Sequence, residues 1–594
     1  MNRLRGLVVG AGLALGMSAA SVLALPPVLD RVPADAAFIV TAPSLDRLDK
    51  GLSTISTSLQ LPMPVPGIRQ MLQMGGIEKG VDGARPLVIF LTGPKAGQSP
   101  EEWRESHDKP PMVLLVPTSD YAALVSNFAG AQPGAGVTEV DIQGEPGYIK
   151  RVGDDYAALG PIREVVEAFT PAKGASAEHQ RSMGQAVSDI VDKSDVTFVA
   201  NMAVLRPILG PQVDQAFEEM AGQMAMMGGG GNIEGMQTFV KSFLDESRVA
   251  AMGVRVDGAG LMMDMGASFT EGSGFAKTFS TAGDASALLG KLPNQPYLFA
   301  FAVDLSSAGL KDFARRMAGS QPGMEEMRGL ITTQIDAVDG QAVSVGSAPG
   351  AMFGGGLLLN TVAYIKTRNP AEYLEKTKTL MAQMSGKEME GMTFTTEYQP
   401  GATTVNGVEA DAWSMTVQPD EEGEGAAAAQ QMMMMMYGGA GGPSGYIAKA
   451  EGGVVQTFSK NSVLLGAALD AAKGNNTLAG DAPRAQVAER LAPGRILEAY
   501  VGMRTVAEMV LPMVGMMVPG VGDIKVPENL PPIGMGLGAQ GGSARASVFV
   551  PMPVMKLMSD IAKAAQQADD EMEEEDEEAD ENLQNEKTTG QPRF

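Results

Sequence analysis

The sequence predicts an α+β protein made of two tandem related domains, each a mostly antiparallel sheet covered by helices. Three observations carry that expectation. Apolar strands alternate with amphipathic helices along the chain, tight-turn dipeptides mark hairpins between them, and five short patterns of the first half return in order in the second. With 594 residues, 44% of them hydrophobic, the chain is too long for one ordinary core and apolar enough to fill more than one.

The first element reads as a leader. "MNRLRGLVVGAGLALGMSAASVLALPP" has two arginines, an apolar stretch from Gly6 to Leu23 and a small-residue cleavage pattern. It predicts a signal peptide over 1–24, cut between Ala24 and Leu25, and an exported protein of the periplasm or extracellular space. The same stretch is long enough for a retained anchor, so both fates stay open. The chain has no cysteine. That excludes a lipid-anchored lipoprotein, thiolate metal sites, iron–sulfur clusters and cysteine nucleophiles.

Next comes "DAAFIVTAPSLDRLDKGLSTISTSL", a strand over Ala37 to Thr41 followed by a helix. Ser44 caps that helix, and Leu45, Leu48, Leu52, Ile55 and Leu59 recur at helical spacing. Further on, "GLLLNTVAYIKTRNPAEYLEKTKTLMAQM" reads as a strand from Leu357 to Lys366, a cap at Asn369 and Pro370 in the first helical turn. Asp257-Gly258, Asn406-Gly407 and Gly452-Gly453 supply the positive φ angles that hairpin turns need.

The echoes set the domain plan. "RVPADAAFIV" returns as "KLPNQPYLFA", "PTSDYAALV" as "KTRNPAEYL", "TPAKG" as "DAAKG", "VLRPILG" as "MVLPMVG", and "AMGVRVDGAG" as "GMGLGAQGGS". Domains are therefore expected at 25–288 and 289–567, with the seam in the small, polar "TEGSGFAKTFSTAGDASALLGKLPN". Residues 568–594 follow as an acidic, disordered tail. Pro207 and Pro512 sit inside apolar helical patterns, where a kink or break is expected.

The leader, the "VPADAAFIV" opening, the "MVLLVPTSDYAALV" strand-helix and the "NGVEADAWSM" hairpin together resemble a family of large exported bacterial proteins of uncharacterised function. The resemblance implies export and an α+β build, and it carries no catalytic motif.

Little in the chain points to chemistry. The five methionines 432–436 predict a short helix filling irregular space against a sheet, because consecutive residues point all round a helix and cannot converge on one ion. Met509, Met513 and Met517 share a stripe with Val506 and Val510, which is core spacing. A copper(I) store is the rival reading, with Met220, Met224, Met226 and Met227 as its best local set. His107 and His179 lie in polar stretches and are expected to be solvated. "GLGAQG" from Gly536 matches a dinucleotide string, but another strand follows it where a helix is required. HExxH and GxSxG are absent from the sequence. No catalytic, cofactor-binding or metal-binding residue is therefore nominated, and no cofactor.

A net charge of -25 argues against nucleic acid and anionic lipid surfaces as partners. No stable membrane insertion is expected once the leader is removed. The partner stays unknown, with an envelope protein or an apolar ligand as the open choices. Three function classes follow in order: a non-catalytic binding or scaffold protein, a carrier for an apolar ligand, and a glycan hydrolase using distant carboxylates.

Overall fold

A computed structural model describes residues 25–568 apart from 61–64, 75, 95–97, 100–101, 104–108, 135, 143, 227–232, 320–327, 347–355, 390–391, 420–425, 439–441 and 519. Helices and antiparallel strands alternate, as the periodicity predicts. The chain divides into two compact units. Unit 1 takes Met1–Arg47, Ile68–Leu205 and Val249–Gly253, and unit 2 takes Leu48–Gly67, Arg206–Arg248 and Val254–Phe594. The leader residues up to Ala24 and the acidic tail lie outside the described residues.

Unit 1 holds strands β1 (Phe38–Ala42), β2 (Leu87–Leu91), β3 (Met112–Pro117), β4 (Thr138–Ile142), β5 (Glu145–Val152), β6 (Tyr156–Gly160) and β7 (Val196–Asn201). They pair antiparallel in the order β4-β5-β6-β3-β2-β1-β7. One face presents Ile39, Val88, Phe90, Val113, Leu115 and Val199, all buried. Helix α1 (Arg163–Ala168), helix α2 (Ala175–Lys193) and the 3-10 turn Pro27–Arg31 cover this face, supplying Val166, Met183, Val187 and Leu29 to the same core. Full burial of such side chains contributes about 1.5–3 kcal/mol each before entropy is charged against it. Inside α2 the backbone bends at Gly184, whose φ of 65° is one that a residue with a Cβ adopts only under strain.

Strand β8 (Ser247–Asp257) crosses the division between the units. Unit 2 continues with β9 (Gly260–Phe269), β10 (Tyr297–Asp304), β11 (Gly340–Gly346), β12 (Asn360–Lys366), β13 (Glu388–Met389), β14 (Met392–Val405), β15 (Val408–Pro419), β16 (Ser444–Ala450), β17 (Gly453–Thr457), β18 (Arg495–Val501), β19 (Ile533–Gln540) and β20 (Ser543–Pro551). Their antiparallel order is β9-β20-β19-β18-β10-β11-β12-β17-β16-β15-β14-β13. The Asn406-Gly407 turn joins β14 to β15 with φ angles of 49° and 75°, as its residues require. The turn between β16 and β17 uses Glu451-Gly452, one residue earlier than expected, because Gly453 already pairs with Ala450.

The covered face of this sheet packs on short helices. Helix α3 (Ala285–Leu289) and helix α4 (Ser462–Ala472) supply Leu288, Leu289, Leu465 and Leu469, and helix α5 (Ala482–Ala488) supplies Val487. Gly534, Gly536 and Gly538 alternate along β19 facing this layer. A Cβ built on Gly534 would fall 2.3 Å from a Val487 methyl, and one on Gly538 would fall 2.2 Å from the Pro493 carbonyl oxygen. The glycine string therefore serves close approach in a strand, as its sequence context indicates. Within the segment expected as the seam, Leu288 and Leu289 are buried in this core, and Phe275 and Phe279 in a separate apolar cluster.

The opposite face of the unit 2 sheet is apolar as well. The row Val343, Phe301, Ala499, Met535, Val548, Met263 runs across six strands in register. Only Ala499 in that row is fully buried, and Met263 is exposed. An antiparallel sheet that solvates one face normally alternates apolar with polar residues; these strands do not.

Several sequence expectations change here. His179 is buried within α2, and its Nε2 lies 3.1 Å from the Val32 carbonyl oxygen. Burial pushes its pKa down, opposed by that hydrogen bond and by Glu178. Its sequence neighbours are polar, but its own helical face lies over the 25–32 segment. In the helix Ala426–Tyr437, Met432, Met434 and Met435 are exposed and Met433 and Met436 half-buried. A helix covered on one side can bury only part of a five-residue run, so most of these thioethers are not packing material. Met517 is likewise exposed, and the buried residues of the helix Met503–Met517 are Thr505, Ala507 and Leu511. That helix and Met202–Met226 continue without a break through Pro512 and Pro207. His107 lies outside the described residues.

Candidate functional site

One cavity belongs to unit 1 and measures about 430 Å³. It opens beside the covered face of β2 and β3, where Phe90 and Val113 form its floor. Val165, Ala168 and Phe169 at the end of α1 form one wall, Pro33 and Ala36 another, and Trp103 a third. Phe90 and Phe169 lie with ring centroids 5.5 Å apart, tilted by 49°, a favourable aromatic geometry.

Local chemistry sets each wall. Trp103 sits just beyond "SPEE", whose Ser99 and Glu102 cap one another. The Ser99 amide donates to the Glu102 carboxylate at 2.9 Å, and the Glu102 amide donates to the Ser99 hydroxyl at 3.1 Å. That is a capping box, and the Trp103 amide then donates to the Ser99 carbonyl at 2.9 Å. The indole is 8% exposed although its sequence neighbours are charged. On α1, the Lys150 ammonium caps the last carbonyls, those of Glu167 and Phe169, at 2.8 and 3.0 Å. That interaction suits a helix C-terminus and holds Phe169 in place. The Pro33–Ala36 wall follows a segment in which Leu25, Val28, Leu29 and Val32 are all buried. Leu25, expected as the first residue after cleavage, thus forms part of the core beneath the site; Ala24 lies outside the described residues.

The polar groups of the cavity are few. Asp35 and Glu164 are exposed and stand at the mouth, while Thr92, Gln98 and Thr170 are neutral. No histidine, lysine, arginine or serine is among the described lining residues. Among the described residues no group of three or more metal-ligating side chains comes together. A cavity of this size with apolar walls can remove an apolar molecule from water, and these side chains place no nucleophile-base pair against it.

Two smaller cavities lie in unit 2. One of about 230 Å³ is lined by Lys311, Asp339, Arg368 and Lys376. Asp339 there is held by Lys311 at 2.9 Å and Arg368 at 2.8 Å. The other, about 240 Å³, rests on Phe239, Phe275 and Phe313. Both fall below the size typical of ligand pockets.

Neither Met220 nor His179 is among the described lining residues of these cavities. Met220 is half-buried on its helix, and the side chains of Met224, Met226 and Met227 lie outside the described residues. Asp35, Phe90, Trp103, Glu164 and Phe169 had not been singled out. The available signal was one of only two tryptophans in the chain, placed just after a Ser-x-x-Glu capping pattern. Among the described residues no helix is long and apolar enough to cross a membrane.

Comparison with protein-family models, curated proteins and solved structures finds no match for this chain.

Proposed function

We propose that the protein is an exported, non-catalytic carrier that shelters an apolar ligand in the cavity of unit 1. One observation supports this above the others: a 430 Å³ space with aromatic and aliphatic walls whose described polar lining groups are all neutral or anionic. The partly exposed apolar row Val343 to Met263 in unit 2 points the same way, since apolar surface left on a sheet favours an apolar guest or partner. Binding would be driven by burial, at about 0.8 kcal/mol per methylene, or about fourfold in affinity. Calorimetric titration of delipidated protein with n-alkanols of increasing length tests it. Affinity should rise about fourfold per carbon until the cavity is full; no saturable binding at any length would end this reading.

We also infer that 25–288 and 289–567 derive from one duplicated module, as the five sequence echoes suggest. Six antiparallel pairings support it by recurring in the same chain order. In the first half they are β1–β2, β1–β7, β2–β3, β3–β6, β5–β6 and β4–β5. In the second they are β10–β11, β10–β18, β11–β12, β12–β17, β16–β17 and β15–β16. An experimental structure whose halves fail to superpose strand for strand would remove the inference.

A further inference from the structure

We propose that the unit 1 cavity selects an amphiphile with a cationic head, a protonated or quaternary amine, over a neutral or acidic molecule of the same chain length. This rests on the carrier reading above and adds the chemistry of the head group. The tail has its place against Phe90, Phe169 and Val113. The head would stay at the mouth, where the only charged groups among the described lining residues are the carboxylates of Asp35 and Glu164, both exposed.

Three described cations on neighbouring elements have contacts of their own. Arg31 binds Asp155 at 2.8 Å and lies 4.8 Å from the centre of the Tyr156 ring. Arg163 lies over the Tyr148 ring at 6.0 Å, and Lys150 is spent on the α1 carbonyls. A carboxylate head would meet two like charges at the mouth, while an ammonium would meet two opposite ones. Trp103 adds an aromatic wall of the kind that attracts organic cations.

The test uses delipidated full-length protein carrying Trp413→Phe, which leaves Trp103 as the single indole and the fluorescence reporter. The probes are decyltrimethylammonium, 1-decanol and decanoate, each below its micelle concentration. The cation should bind about 3- to 10-fold more tightly than the alcohol at low salt, the range exposed carboxylates supply, with decanoate weakest. Salt at 0.5 M, or the pair Asp35→Asn and Glu164→Gln, should collapse the three affinities towards one value. Decanol binding with decanoate equal to or tighter than the cation would overturn the head-group assignment and leave the carrier reading standing. An order that persists in the double variant would overturn it too. If none of the three probes binds, the carrier reading falls and takes this inference with it.

Discussion

Replacing Glu498 by glutamine should destabilise unit 2 severely, and the size of the loss follows from what surrounds that carboxylate. Glu498 on β18 is 0% exposed. It accepts from Arg484 at 3.2 Å, from Arg495 at 2.5 Å, from the Tyr500 hydroxyl at 2.5 Å and from the Ser286 hydroxyl. Burial, and then the carboxylate itself, pushes the Tyr500 phenol up, so it stays protonated and donates. The two guanidinium side chains are only 7% and 17% exposed. Glutamine removes the carboxylate that pairs with both of them and turns an NH₂ towards groups that are themselves donors. Breaking a buried pair by removing one partner costs about 3–5 kcal/mol. For a unit of this size, that lowers Tm by about 4–7 °C. The assay is thermal unfolding followed by the Trp413 fluorescence of a Trp103→Phe parent, since Trp413 is buried against Phe458 at 5.4 Å in unit 2. Replacing Glu498, Arg484 and Arg495 together by leucine or methionine should recover most of the loss, because no charge is then stranded. A Tm for Glu498→Gln within 1 °C of the parent would refute the reasoning.

Three further outcomes are expected. The pKa of His179 is depressed by burial, so the folded state resists the proton that the unfolded chain accepts freely. Its contribution is complete above the unfolded pKa of about 6.5 and is lost as pH falls through the folded value. Urea titrations from pH 8 to pH 5 should show stability falling below about pH 6.5, with the fall reduced in His179→Gln; identical curves would count against it. Gly538→Ala puts a Cβ 2.2 Å from a backbone oxygen and should cost about 1–3 kcal/mol. Gly480→Ala, which meets nothing within 4 Å, should be neutral, and equal melting temperatures for the two would contradict the packing described. Ser99→Ala removes the cap beside Trp103. It should cost about 1 kcal/mol locally and weaken alkanol binding several-fold in calorimetry, whereas unchanged affinity would show that the cap does not position the indole.

What could be read from the residues alone was whatever depends on near neighbours. Ser44 accepts from the Arg47 amide at 3.2 Å, and Asn369 caps the helix that Pro370 opens. Asn406-Gly407 turns where its φ preferences demand. These are contacts within a few residues, so sequence spacing suffices. Burial is different, because a remote partner decides it. His179 is buried by the 25–32 segment, about 150 residues away, and Trp103 by walls from Pro33 to Phe169. The methionine run was legible as a helix, but which of its sides met protein was not. The same limit hid the cavity: its floor, walls and mouth come from four separated stretches that no periodicity connects.

The measurement closest to the central claim is photoaffinity labelling of the delipidated, full-length protein with a diazirine-bearing decanol, followed by peptide mapping. Labels should fall on the segments containing Phe90, Val113 and Val165–Phe169, and excess unlabelled decanol should abolish them. Labelling confined to other segments, or labelling there that decanol does not displace, would contradict the assignment of this cavity as the ligand site.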